Sequence, residues 1–307
     1  MNYQKTVRKS VVVKGVGVHS GKEVSLKMRP AKPGQGIVFK RVDLPGSPEV
    51  PALHTQIIST RLATTLGSGK VLVSTVEHLL AALYGQGIDN AILEVDGPEI
   101  PILDGSSKGF CEALSAAGEQ TQCAPRFSLV LRKAVQFKIE EKWAFVEPSS
   151  RFEMDSSIEW DHPSVGYQSF KYKENSTDFS EVASARTFCF LRDVEGLKRA
   201  GLLKGGSLEN AVVIDDRGVL NPEGLRYGNE LVRHKVLDAL GDFKLMGFSV
   251  QGYFRLHRGG HELHHLLMTE IFKDPENYDL VGVPTEQEKV SVQFHSAIAK
   301  VGLAASF

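Results

Sequence analysis

The sequence predicts an α+β fold made of two domains of similar topology, each a layer of β-sheet and helices with a small insert. Three observations lead there. The order β-hairpin, helix, strand, helix occurs twice along the 307 residues. Aligning "EHLLAALYGQGI" with "RHKVLDALGDFKLMGF" superposes His78 on His234. The length suits two domains at the usual ~150 residues each, and 42% apolar with 24% charged residues is an ordinary globular composition.

The elements follow in order. "SVVVKGVGVHSGKEVSLKMRP" reads as a hairpin with glycine-rich turns, and "GIVFKRVDL" as a further strand. "STVEHLLAALYGQG" (74–87) carries Val76, Leu79, Leu80 and Leu83 at core spacing and predicts a helix stopped by Gly85 or Gly87. "DNAILEVDGPEIPILDGSS" reads as strand, turn, strand, and "KGFCEALSAAG" as a helix ending at Gly118. "EQTQCAPR" (119–126) is polar and without periodicity, which places a domain boundary there and domain I at 1–125.

Domain II, at 126–280, opens on the hairpin "FSLVLRKAVQFKIEEKWAFVEPS". Helix, strand and helix follow near 234, at "FSVQGYFRL" and at "HELHHLLMTEIF". The stretch 184–215 fits neither repeat and reads as strand, helix, glycine-rich turn, strand, a βαβ-like insert. Residues 281–307 form a tail with no assigned role.

Bulk properties narrow the function. A net charge of −1 gives no electrostatic footprint for nucleic acid. Three cysteines without metal-type spacing point away from a disulfide framework and toward a reducing compartment. The first apolar run is three valines cut by Lys14 and Gly15, too short for a signal peptide, and no run reaches the ~20 residues of a membrane span. A cytoplasmic protein is expected.

The chemistry lies in "LVRHKVLDALGDFKLMGF". At ~100° per residue, His234, Lys235, Asp238 and Asp242 share one arc, while Val236, Leu237, Leu240 and Phe243 form the core stripe opposite. His and Asp at i, i+4 leave one helix face a turn apart and suit a divalent ion. The plainer alternative is an i,i+4 pair flanked by two solvated charges. A catalytic zinc needs a third protein ligand, and His78 offers it if the two halves face each other; Glu77 beside it then suits a base. Ser74 and Glu77 also have the spacing of a capping box, which would leave Glu77 as a mere helix cap. "HELHH" presents a rival: His261, Glu262 and His265 match H-E-x-x-H of zinc peptidases, but no third ligand follows and the helix begins at His261 itself. A non-catalytic sugar-nucleotide binder, gripping a diphosphate through Lys235, is the other alternative.

Six stretches carry a resemblance: "GVGVHSG", "STVEHLLAALYGQGIDNAILEVDGPEIPILDGSS", "SARTFCF", "GLLKGGSLENAVV", "LRYGNELVRHKVLDALGDF" and "GGHELHH". From about residue 4 to 270 the chain resembles the UDP-3-O-acyl-N-acetylglucosamine deacetylases, zinc amidases of lipid A synthesis in Gram-negative bacteria. The resemblance implies two α+β domains packed around the active site, with inserts near 55–70 and at 186–213. It implies zinc, with ferrous iron as the alternative, on His78, His234 and Asp238. It gives Glu77 the role of general base and His261 that of second acid–base group, oriented by Asp242. Thr187 matches a hydroxyl that stabilises the oxyanion, and Lys235 a substrate-contacting lysine. Phe188, Leu191 and the second insert, with Gly206 and Ser207, match the acyl-chain side of the substrate site. The implied partner is a UDP-linked acylated amino sugar, met by a monomer. His264 and His265 receive no role. From the residues alone, Leu191, Val194, Leu197, Leu202, Leu203, Ala211, Val212 and Val213 give the insert an excess of apolar side chains, which also suits a small core of its own.

Overall fold

The computed structural model describes residues 3–174 and 176–282; the tail beyond lies outside the described residues. The first 125 residues form β1 (Tyr3–Val7), β2 (Val11–Val16), β3 (Glu23–Pro30), β4 (Ile37–Arg41), β5 (Glu49–Pro51), β6 (Ile57–Ser59), β7 (Thr65–Ser68), β8 (Val71–Val73), α1 (Glu77–Gly85), β9 (Ala91–Val95), α2 (Lys108–Ala117) and β10 (Glu119–Pro125). Then come β11 (Ser128–Leu131), β12 (Val135–Ile139), β13 (Lys142–Glu147), β14 (Phe152–Trp160), β15 (Gly166–Lys173), α3 (Ser180–Ala183), β16 (Phe188–Phe190), α4 (Leu191–Arg199), β17 (Val212–Asp215) and β18 (Gly218–Val219). The described chain closes with α5 (Glu230–Lys244), β19 (Ser249–His257), α6 (His261–Lys273) and β20 (Tyr278–Val281).

The repeat read from the sequence is a repeat of topology. In the first sheet β3 and β4 flank β9, with β2 and β5 outside them. In the second, β13 and β14 flank β19 in the same way, with β12 and β15 outside. The directions match too: β9 runs antiparallel to β3 and parallel to β4, as β19 does to β13 and β14. A parallel neighbour needs a long crossover, and α1 and α5 lie in the two equivalent crossovers. Strands β11 and β20 add to the second sheet at the start of β19.

One core links the sheets. It runs from Leu26, Phe39 and Leu93 through Leu79, Leu80, Val236 and Leu240 to Ala144 and Phe254, all essentially inaccessible to water. Helices α1 and α5 pack directly on each other, and glycine permits it. A Cβ on Gly241 would lie 2.0 Å from the carbonyl oxygen of Glu77.

Three expectations change. "IPILDGSS" forms no strand, and Glu99 makes only an isolated bridge to Ser74. The aperiodic stretch at 119–126 is strand β10, paired antiparallel with β1. It buries neither face, so it lacks the two-residue apolar period by which strands are recognised. The capping box does not form either. The Ser74 hydroxyl bonds Thr65 Oγ1 at 2.8 Å, no side chain caps α1, and Glu77 turns its carboxylate elsewhere.

The insert of the second half is βαβ, as its sequence suggests: β16 and β17 pair in parallel around α4, and β18 adds to β17. It reaches back to the first half, where Gly205 N–H donates to the Val18 carbonyl at 3.0 Å. Residues 57–73, around the place of the first insert, form the three-stranded sheet β6-β7-β8.

Candidate active site

His78 leaves the first turn of α1, and His234 and Asp238 leave α5 one turn apart. All three are buried, at 4%, 2% and 2% exposure. The imidazoles meet edge to face with ring centroids 5.0 Å apart. Both aim Nε2 at Asp238 Oδ1, from 3.6 Å for His78 and 3.2 Å for His234. Nδ1 of His234 donates to the Ala185 carbonyl at 3.0 Å, so its Nε2 carries the lone pair. Burial lowers the His234 pKa to about 4, which keeps the ring neutral. Burial works against charge on Asp238, but His234 and Lys235 outweigh it and hold the carboxyl well below its usual range. Its other oxygen accepts from Lys235 Nζ at 3.0 Å, whereas Oδ1, also buried, has no hydrogen-bond partner. Two imidazole donors and an unsatisfied carboxylate oxygen, within 4.8 Å of one another, fit a divalent metal.

Beside this cluster lies an acid–base network. Asp242 is buried at 1% exposure, so the reading of it as a solvated charge fails: Thr64 and the α6 residues His261 and His264 enclose its carboxylate. Asp242 Oδ2 accepts from Nδ1 of His261 at 2.8 Å and of His264 at 2.7 Å, and Oδ1 accepts from the Thr64 hydroxyl at 2.6 Å. Burial opposes charge on His261, but Asp242 and Glu77 prevail and push its pKa up to about 10. Glu77 faces it, Oε1 to Nε2, at 3.9 Å. Burial drives the Glu77 pKa upward, against the pull of His261 and His78.

A cavity of about 460 Å³ opens over both groups, lined by Glu77, His78, His234, Lys235, Asp238 and His261 on one side. Thr187, Phe188, Leu191, Gly206 and Ser207 line the rest with other insert residues. Every site residue expected from the sequence is therefore in one place, with Asp242 behind the wall rather than in it. The "ARTF" segment is held from below. Buried Arg186 pairs with buried Glu230 at 2.8 Å, and also bonds Glu223 and the Gly224 carbonyl. Thr187 N–H donates to the Gly105 carbonyl at 2.8 Å. Lys235 Nζ sits 5.4 Å over the Phe188 ring.

The insert's apolar residues divide between two tasks. Val212 packs a small core with Phe190, Ile214, Leu231 and Val232. Helix α4, by contrast, buries none of its residues; its Leu191, Val194 and Leu197 face the cavity with Leu203, Ala211 and Val213.

Comparison with known proteins agrees with this geometry. The model of the UDP-3-O-acyl N-acetylglycosamine deacetylase family matches residues 4–273. The chain belongs to this deacetylase family. The UDP-3-O-acyl-N-acetylglucosamine deacetylase of Myxococcus xanthus is 48% identical over 279 residues, covering 91% of this chain and 89% of the relative. Those of Citrifermentans bemidjiense and Syntrophotalea carbinolica are 44% and 41% identical, covering 92% of both chains and 99% of both chains.

Membership of the deacetylase family leaves the peptidase motif without support, and the geometry agrees. Glu262 is exposed, and among the described residues the cluster around His261 contains Asp242 and His264, not Glu262 and His265. Sequence reasoning missed Thr64, His264 and Glu99. Glu99 accepts from the backbone N–H of His19 and Ser20, both at 2.8 Å, and so shapes a turn at the cavity rim. No spacing rule links Thr64 to Asp242 across 178 positions. His264 was discoverable as the residue one helical turn from His261.

Proposed function

We propose that the protein hydrolyses the acetamide of UDP-3-O-(3-hydroxyacyl)-N-acetylglucosamine, giving acetate and UDP-3-O-acylglucosamine, the committed step of lipid A synthesis. Family membership supports the reaction. The observation that carries its chemistry is the convergence of both histidine Nε2 atoms on the unsatisfied Asp238 Oδ1 at the floor of an apolar cavity. His78, His234 and Asp238 would hold Zn²⁺, with Fe²⁺ as the alternative. When bound, the metal supplies Lewis acidity, polarising the amide carbonyl and acidifying water.

The chain's own groups move the protons. Glu77, its basicity raised by burial, takes a proton from the attacking water. His261, kept cationic by Asp242, donates a proton to the departing nitrogen, which cannot leave as an anion. The Thr187 hydroxyl donates to the oxygen on which charge develops. Lys235 orients Asp238 and lies within reach of the substrate. Phe188, Leu191, Gly206, Ser207 and the apolar face of α4 receive the acyl chain.

We also read residues 1–125 and 126–280 as two domains, which the shared strand order supports, and the protein as a cytoplasmic monomer. No helix among the described residues is long and apolar enough to cross a membrane. The test is a deacetylation assay on the UDP-linked acylated sugar with elemental analysis of the protein. Acetate release that a chelator abolishes and Zn²⁺ restores is expected; release indifferent to chelation would sink the reading.

A further inference from the structure

One residue touches both halves of the acid–base network. The backbone N–H of Thr64 donates to Glu77 Oε2 at 3.0 Å, and its hydroxyl donates to Asp242 Oδ1 at 2.6 Å. Thr64 is 1% exposed, so water does not compete for either bond. Two residues before it Leu62, which lines the cavity, has a φ of 63°. Such a left-handed leucine is strained and persists only where its surroundings fix it, often beside a functional site.

The two carboxylates come from different helices, Glu77 from α1 and Asp242 from α5. Asp242 Oδ2 is held by two imidazoles, but bonds at one oxygen leave the carboxylate free to twist about it. The Thr64 hydroxyl removes that freedom by fixing Oδ1. The Thr64 N–H occupies Oε2 of Glu77 and so leaves Oε1, the oxygen facing His261, for the proton. Holding a base and an acid in register matters to the rate because small displacements of reacting groups lower it.

We propose that Thr64 is a positioning residue for the acid–base step, a single tether that sets the general base and the Asp242–His261 pair at a fixed separation and angle. It touches no reacting atom. The proposal rests on the deacetylase reading above and gives the segment around residues 55–70 a part in turnover.

The test compares Thr64→Val, which removes the hydroxyl and keeps the N–H, with Thr64→Ser, which keeps both. Thr64→Val is expected to lower kcat about tenfold, the scale of one lost hydrogen bond to a charged group. KM and bound zinc should stay within about twofold, since neither ligand nor substrate contact is touched. Thr64→Ser should recover most of the rate. Wild-type kcat in Thr64→Val, or a loss seen in KM or metal content instead, would overturn the proposal, as would a serine variant no better than valine. If the valine does not fold, Thr64→Ala serves in its place. An inactive wild-type protein would sink the deacetylase reading instead. Crystal structures would then decide the tether alone: a rotated Asp242 carboxylate in the valine variant supports it, and an unmoved one refutes it.

Discussion

Gly241 and Glu77 are in backbone contact across the α1–α5 crossing, so close that a methyl group on Gly241 would lie 2.0 Å from the Glu77 carbonyl oxygen and 3.1 Å from its Cα. That contact fixes the distance between the helix bearing His78 and the helix bearing His234. Gly241→Ala must therefore push the helices apart. Overpacking of this kind costs about 1–3 kcal/mol, and a shift of these helices should also loosen any metal held as proposed. Thermal unfolding and zinc titration together check this; a variant with unchanged Tm and unchanged zinc affinity would show that the crossing has slack.

Ligand and base should separate cleanly on substitution. Asp238→Ala removes one of the three proposed metal ligands and is expected to yield protein largely free of zinc. Glu77→Ala leaves the ligands in place and should lower kcat by ~10²–10⁴-fold with zinc retained, the range for general acid–base groups. The same holds for His261→Ala. Metal analysis of the purified variants is the check, and zinc lost from Glu77→Ala would reverse the assignment.

The pH profile tests the pairing of His261 with Asp242. The carboxylate favours the charged imidazole, so the folded pKa of about 10 stands above the ordinary value and the acid survives into alkaline solution. Asp242→Asn removes the negative charge and the imidazole then loses its proton at lower pH. The alkaline limb of kcat/KM should move down by roughly 1–3 units, the usual effect of one close charge. An alkaline limb that stays put would mean another group sets it.

Arg186 is buried at 1% exposure against Glu230 at 0%. Arg186→Ala strands that carboxylate without its partner, which costs about 3–5 kcal/mol in buried pairs. Thr187 should lose its anchorage with it. Calorimetry should show a large drop in Tm, and a replacement tolerated within about 0.5 kcal/mol would mean water takes over the pairing.

Much of this was legible in the chain. Two helices with core-spaced leucines and a hairpin before each gave the repeated topology. His234 and Asp238 at i, i+4 could be read as a candidate ligand pair because helix geometry is local. What escaped was non-local or hidden by surroundings. The helix pattern alone left Asp242 open to being a solvated charge, and only the family resemblance gave it a part beside His261, because no spacing says that α6 covers it. Strand β10 had no buried face to impose a period. Thr64 meets Glu77 through its backbone N–H and Asp242 through its hydroxyl only in the folded chain, and no spacing encodes either bond. The excess of apolar residues in the second insert was plain, but their division between a core and a cavity wall depends on where α4 lies.

That division has a consequence. Helix α4 presents Leu191, Val194 and Leu197 to a space rather than to a partner layer, so this part of the protein is a hydrophobic interior with one side missing. A hydrocarbon chain entering the space would act as that missing side, burying leucines that otherwise face water. On the proposed reading, the lipid is cargo and packing material at once, and the enzyme holding it is the more completely folded form.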